Sequence, residues 1–195
     1  MPKTILNIAA GKFKPIEVDA GDPTFLVNLD TMYYNFNKPE VIEDASYKWT
    51  GTHDLTYACN KDAFEFMERT QMFFDEICIY RFLEHVSFTQ VNYFIYLLST
   101  ITKKDSIVDV IVPNYTILAD MILNDEPYNS AFEANNILLT TELLNEPSCP
   151  HASIWTAKRA RYFFHLENRF QITDIDEKYE FDGRDIYLRF QAVRL

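Results

Sequence analysis

The sequence predicts an α/β fold, a doubly wound sheet that is mostly parallel with an antiparallel C-terminal strand. Three observations predict it. Short apolar runs bounded by turn residues alternate with stretches of helical period. The chain has 195 residues, of which 48% are hydrophobic, enough to enclose the core of one domain spanning residues 1–195. The last two strand-like runs are separated by too little chain for a parallel crossover.

Thr4 to Ala9 is the first apolar run and leads to Gly11. Phe25 to Leu29 is the second, ending at Asp30, and Leu55 to Cys59 is the third, followed by Asp62. Glu76 to Tyr80 is the fourth, ending near Arg81, and Ser106 to Val112 is the fifth, stopped by Pro113. Such runs read as buried strands. Val91, Phe94, Ile95 and Leu98 keep the spacing of one helix face, which predicts a helix over Ser87 to Ile101. Thr116 to Leu123 and Ala131 to Leu144 also read as helices, and Thr156 as the N-cap of a helix through Glu167. The polar, aromatic segment from Thr31 to Thr52 predicts no element. Phe170 to Ile175 and Ile186 to Val193 are strand-like, and Asp182-Gly183-Arg184 between them predicts a hairpin. The loop from Asn145 to Trp155, with Pro147, Cys149, Pro150 and His151, is the expected substrate loop.

The formal net charge is -11. A duplex nucleic acid needs a basic footprint, so none is expected as partner. From Lys158 to Leu195 eight Lys and Arg offset seven Asp and Glu, which reads as a solvated helix face. Cys59, Cys78 and Cys149 are odd in number and widely spaced, as in a reduced cytoplasmic protein. No spacing of Cys and His suggests a metal. No apolar run is long enough to span a membrane.

In an open α/β sheet, ligands bind beyond the carboxyl ends of the strands. That places Ala9 to Lys12, Asp30, Asp62, Arg81 to His85 and Pro113 to Tyr115 at the site. Gly11 follows the first strand, where backbone can approach a ligand closely. Asp30, at the end of the second strand, suits hydrogen bonds from ribose hydroxyls. A dinucleotide's phosphates would want more glycines than this turn has.

The segment Ile5-Leu6-Asn7-Ile8-Ala9-Ala10-Gly11-Lys12 resembles the first motif of a class I S-adenosylmethionine-dependent methyltransferase subfamily of the type 11 kind. Leu26-Val27-Asn28-Leu29-Asp30 is similar to its second motif. Phe74-Asp75-Glu76-Ile77, followed by Phe82-Leu83-Glu84-His85-Val86, is similar to its FDEI and LEHV signature, and Ile111-Val112-Pro113-Asn114 to its fifth strand. The resemblance covers residues 5–114 and implies a Rossmann-like fold with S-adenosylmethionine as cofactor. It implies that Ala9, Ala10 and Gly11 lie against the methionine part and that Asp30 binds the ribose. By the same resemblance, Asp62, Ala63 and Phe64 flank the adenine, and Arg81 to His85 border the methyl group and substrate. The usual Gly-x-Gly is Ala9-x-Gly11 here, and the amine-methylating Asp/Asn-Pro-Pro-Tyr/Phe motif is replaced by Tyr80-Arg81-Phe82-Leu83.

The activity implied is direct displacement of the sulfonium methyl by an oxygen or nitrogen of a small-molecule, sugar or protein acceptor. His85 and Glu84 are the candidate general bases. His151, Trp155, Asn114 and Tyr115 are the candidate substrate contacts, Trp155 being as readily a packing residue. A second expectation is a degenerate methyltransferase fold serving as a non-catalytic binding or assembly module, since fold alone does not carry activity.

Overall fold

The computed structural model describes residues 3–8, 24–29, 41–42, 46–48, 56–59, 62–124, 151–181 and 183–195. Strands β1 (Thr4–Ile8), β2 (Phe25–Leu29), β5 (Thr56–Cys59), β6 (Phe74–Tyr80) and β7 (Thr102–Pro113) are the five predicted apolar runs. Two short strands, β3 (Val41–Ile42) and β4 (Ser46–Lys48), arise where the sequence predicted none. The predicted hairpin is β8 (Phe170–Phe181) and β9 (Arg184–Arg194). All join one sheet in the order β3-β4-β5-β2-β1-β6-β7-β9-β8.

The five central strands are parallel, and the order reverses between β1 and β6. Both margins are antiparallel: β9 runs against β7 and β8, and β4 runs against β3 and β5. The reversal expected at the C-terminal side therefore has a counterpart at the opposite margin. Gly183, at φ 74, turns the hairpin in the left-handed region that glycine adopts without steric cost.

Four helices are described: α1 (Ala63–Arg69), α2 (Phe88–Ile101), α3 (Tyr115–Leu123) and α4 (Ala157–His165). Alternating strand residues sort onto two faces, as a period of two requires. Leu6, Ile8, Val27, Ile77, Ile79, Val108, Val110, Leu188 and Phe190 share one core with α1, α2 and α4, through Met67, Phe94, Leu98 and Phe164. On the other face Ile111, Ile186 and Tyr187 pack with Tyr115 and Leu118 of α3. The predicted helix over Ala131 to Leu144, and the loop residues 145–150, lie outside the described residues.

Several boundaries differ from expectation. α2 ends at Ile101 and β7 begins at Thr102. The chain then kinks at Asp105 (φ 65), and the β6–β7 register shifts between Phe74 and Glu76. The Ser106 hydroxyl donates to the Phe74 carbonyl (2.9 Å) across that irregularity. α4 stops at His165, before the expected Glu167, because Glu167 and Asn168 turn into the left-handed region (φ 59 and 52).

Candidate active site

β1 and β2 end side by side at Ile8 and Leu29. The predicted cofactor residues Ala9, Ala10, Gly11 and Asp30 follow those ends directly and lie outside the described residues. Between the two strands the Asn7 amide donates to the Asn28 side-chain oxygen (2.8 Å), and both residues are buried. The Asn28 nitrogen, fully buried, has no hydrogen-bond partner among the described residues. After β5, the neighbour of β2, Asp62 caps α1, its carboxylate accepting from the backbone N–H groups of Phe64 (2.9 Å) and Glu65 (3.3 Å). Ala63 is buried, and the half-buried Phe64 ring stacks on Tyr93 and meets Phe94 edge-on.

β6 leaves the sheet through Arg81, whose φ of 56 is left-handed and whose N–H donates to the Ile111 carbonyl (2.7 Å). A bulky residue held there stores strain of the kind found at functional turns. The turn Leu83–His85 follows. It is strapped from a distant part of the chain. The N–H groups of Ala152 and Ser153 both donate to the Glu84 carbonyl, at 2.7 and 2.9 Å. The Ser153 hydroxyl (2.8 Å) and the Trp155 indole N–H (3.2 Å) donate to the Leu83 carbonyl.

The strap brings His151 onto Glu84 and His85. Their ligand-bearing atoms lie within 4.8 Å of one another, and the two imidazoles meet edge-on at 5.0 Å. Tyr115, at the start of α3, closes the group from the third side, with its hydroxyl 2.6 Å from His151 Nδ1. Its backbone N–H donates to the Trp155 carbonyl (3.1 Å). The sequence nominated Glu84 and His85 as bases and Tyr115 and His151 as substrate contacts; the structure makes the four one cluster, at the carboxyl ends of β6 and β7.

Burial sets the electrostatics. Glu84 is 1% exposed, and one carboxylate oxygen has no hydrogen-bond partner among the described residues. Desolvation pushes its carboxyl up to about 7, against the opposing pull of its own backbone N–H and of Arg81. Burial, with smaller contributions from His85 and Arg81, draws His151 down to about 4. Burial raises the Tyr115 phenol as well, with the Glu84 charge adding to it.

Two of the expected substrate contacts turn out to be structural. Trp155 is 0% exposed, its ring stacked on Phe190 and its N–H shared between Leu83 and Ser153. It is a core residue that anchors the strap. Asn114 is 1% exposed. Its side-chain oxygen caps α3 at the Thr116 N–H (3.0 Å), and its nitrogen donates to the Glu177 carbonyl (2.7 Å), tying β7 to β8. Ser153 and the Asn7–Asn28 pair went unrecognised in the sequence. A polar residue inside an apolar run was the signal for the pair, whereas Ser153 carried none.

No family model matches the chain, and no curated protein does. Solved structures do match. An S-adenosylmethionine-dependent methyltransferase from Methanosarcina mazei is similar at TM-score 0.62 and 14% identity, over 100% of this chain and 93% of that one. The 1,6-didemethyltoxoflavin-N1-methyltransferase of Burkholderia thailandensis, solved with S-adenosylhomocysteine, is similar at TM-score 0.61 and 12% identity, over 99% and 71%. The magnesium protoporphyrin IX methyltransferase of Synechocystis PCC 6803, also with S-adenosylhomocysteine bound, is similar at 0.56 and 10%, over 100% and 75%. Strand order, the reversed β9 and these likenesses agree: the chain has the fold of the class I S-adenosylmethionine-dependent methyltransferases.

Proposed function

We propose that this chain is a methyltransferase that uses S-adenosylmethionine to methylate an oxygen or nitrogen of a small-molecule, sugar or protein acceptor. The observation that carries the reading is the convergence of Glu84, His85, His151 and Tyr115 at the carboxyl ends of β6 and β7, beside the ends of β1 and β2. In this fold, ligands sit beyond those strand ends. S-adenosylmethionine supplies an activated sulfonium methyl. The described residues fit its adenosyl half: the half-buried Phe64 ring offers an apolar surface at the α1 start, and the buried Asn28 nitrogen, without a partner among the described residues, lies two positions before the expected ribose ligand in the sequence.

In this reading Ala9, Ala10 and Gly11 hold the methionine part, Asp30 takes the ribose hydroxyls, and Asp62, Ala63 and Phe64 hold the adenine. Arg81 borders the donor. His151 and Tyr115 contact the acceptor, and His85 with Glu84 receives the proton that the acceptor gives up. Alignment of acceptor and donor with water excluded supplies most of the acceleration. The likeness to a 1,6-didemethyltoxoflavin-N1-methyltransferase, solved with 1,6-didemethyltoxoflavin bound, supports a small-molecule acceptor.

Calorimetric titration of S-adenosylhomocysteine into the wild type and Asp30→Ala tests this. Micromolar binding weakened at least about tenfold by the substitution, or about 1.4 kcal/mol, is expected. A folded wild type that binds neither S-adenosylhomocysteine nor S-adenosylmethionine overturns it and leaves a methyltransferase fold used as a binding module.

A further inference from the structure

Glu84, His85 and His151 offer two imidazoles and one carboxylate, each within 4.8 Å of the others. Around a tetrahedral dication with bonds of about 2.1 Å, ligand atoms stand roughly 3.4 Å apart, so binding an ion would draw the three groups together by about 1.4 Å at most. A second observation is independent of that proximity. The Glu84 side chain is fully enclosed, yet one of its oxygens has no hydrogen-bond partner among the described residues. A buried carboxylate oxygen without a donor is costly, and such groups are usually paired or bound to metal.

The surroundings resemble those of a metal-binding histidine. His151 Nδ1 lies 2.6 Å from the Tyr115 hydroxyl. With Nδ1–H donating to the phenol oxygen, Nε2 keeps its lone pair and the ring is fixed in orientation, the usual task of an outer partner to a metal ligand. The turn carrying Glu84 and the strap carrying His151 are joined by two backbone hydrogen bonds, so the set is preorganised. Arg81 is the cation acting on both Glu84 and His151, and its exposure to solvent screens it.

We infer that Glu84, His85 and His151 form a binding site for a single divalent transition-metal ion of the zinc class, with Tyr115 orienting His151. Two nitrogens and one oxygen suit that class, and three protein ligands leave a coordination position open. An acceptor oxygen in that position would be polarised by the ion, so the cation would take over from Glu84 and His85 the stabilisation of an acceptor that has lost its proton to solvent. The ion site stands on the cluster alone and goes beyond the methyl-donor reading, whereas its role toward an acceptor rests on that reading.

The test is titration of Co2+ into the full chain, read by its visible ligand-field bands and by competition with Zn2+. Saturation at one equivalent and displacement by Zn2+ are expected. Glu84→Gln and His151→Asn should each weaken binding at least about tenfold, and Tyr115→Phe roughly tenfold through the lost outer partner. Thermal melts of each variant confirm folding. The absence of bands in the folded wild type, or bands that persist in both Glu84→Gln and His151→Asn, overturns the site. Titration of S-adenosylhomocysteine on the same samples reports separately on the methyl-donor reading.

Discussion

The Asp109 carboxylate, 4% exposed, receives two N–H groups of Arg189 (3.0 and 2.9 Å) and the Tyr80 hydroxyl (3.0 Å). Asp109 sits in the middle of β7, and Arg189 stands opposite Ile111 on β9, also covering the Tyr179 ring. The pairing raises the Arg189 guanidinium further, so it stays charged. The two halves of the pair differ in exposure, since a third of Arg189 reaches solvent. Arg189→Leu strands a buried carboxylate and should cost about 3 kcal/mol, measured by urea denaturation. Asp109→Leu leaves a guanidinium that water can still reach, and should cost less. Asp109 is visible in the sequence only as a polar interruption of Ile-Val-Asp-Val-Ile, because its partner lies 80 positions further on. The same holds for His151: adjacent Glu84 and His85 could be nominated from a motif, but the imidazole that joins them comes from a strap no local pattern announces. In register, Asn28, Asn7, Cys78 and Asp109 form a polar row across one sheet face. Burial pushes the Cys78 thiol up to about 12, so peptide mapping should find it unalkylated at pH 8 in the native protein and modified after unfolding.

Among the elements, the strands and α2 were legible because each has a single strong period or an apolar run. The two-residue and three-residue strands β3 and β4 were not, since a piece that short has no period, and its pairing with β5 is a tertiary event. The joint between α2 and β7 was hidden for another reason. The chain passes from helix to strand without a linker, and the punctuation is Asp105 in the left-handed region and not a Gly or Pro. The hairpin, in contrast, was written plainly by Asp182-Gly183. A Cβ at Gly183 would meet nothing within 4 Å, so the cost of replacing it is backbone strain alone. Gly183→Ala should therefore destabilise by about 1 kcal/mol, read from the urea midpoint. Gly183→Asn, which tolerates that conformation better, should cost less.

At the scale of the molecule, the two faces of the sheet have different characters. One holds a continuous apolar core under α1, α2 and α4; the other mixes apolar packing against α3 with the polar row. A methyl-donor ligand bound as proposed would couple to this whole, because β1, β2 and β6 are neighbours in the sheet. S-adenosylhomocysteine at a hundred times its Kd should add about 2.7 kcal/mol and raise the melting temperature by roughly 5–10 °C, an effect that Asp30→Ala removes. β9, seated between β7 and β8, has a consequence for how the protein is made. When the ribosome finishes β7 at Pro113, the neighbour that will pair with it begins only at Arg184. At about 5–20 residues per second, the outer backbone of β7 waits roughly 4–14 s without its partner, open to any other extended chain.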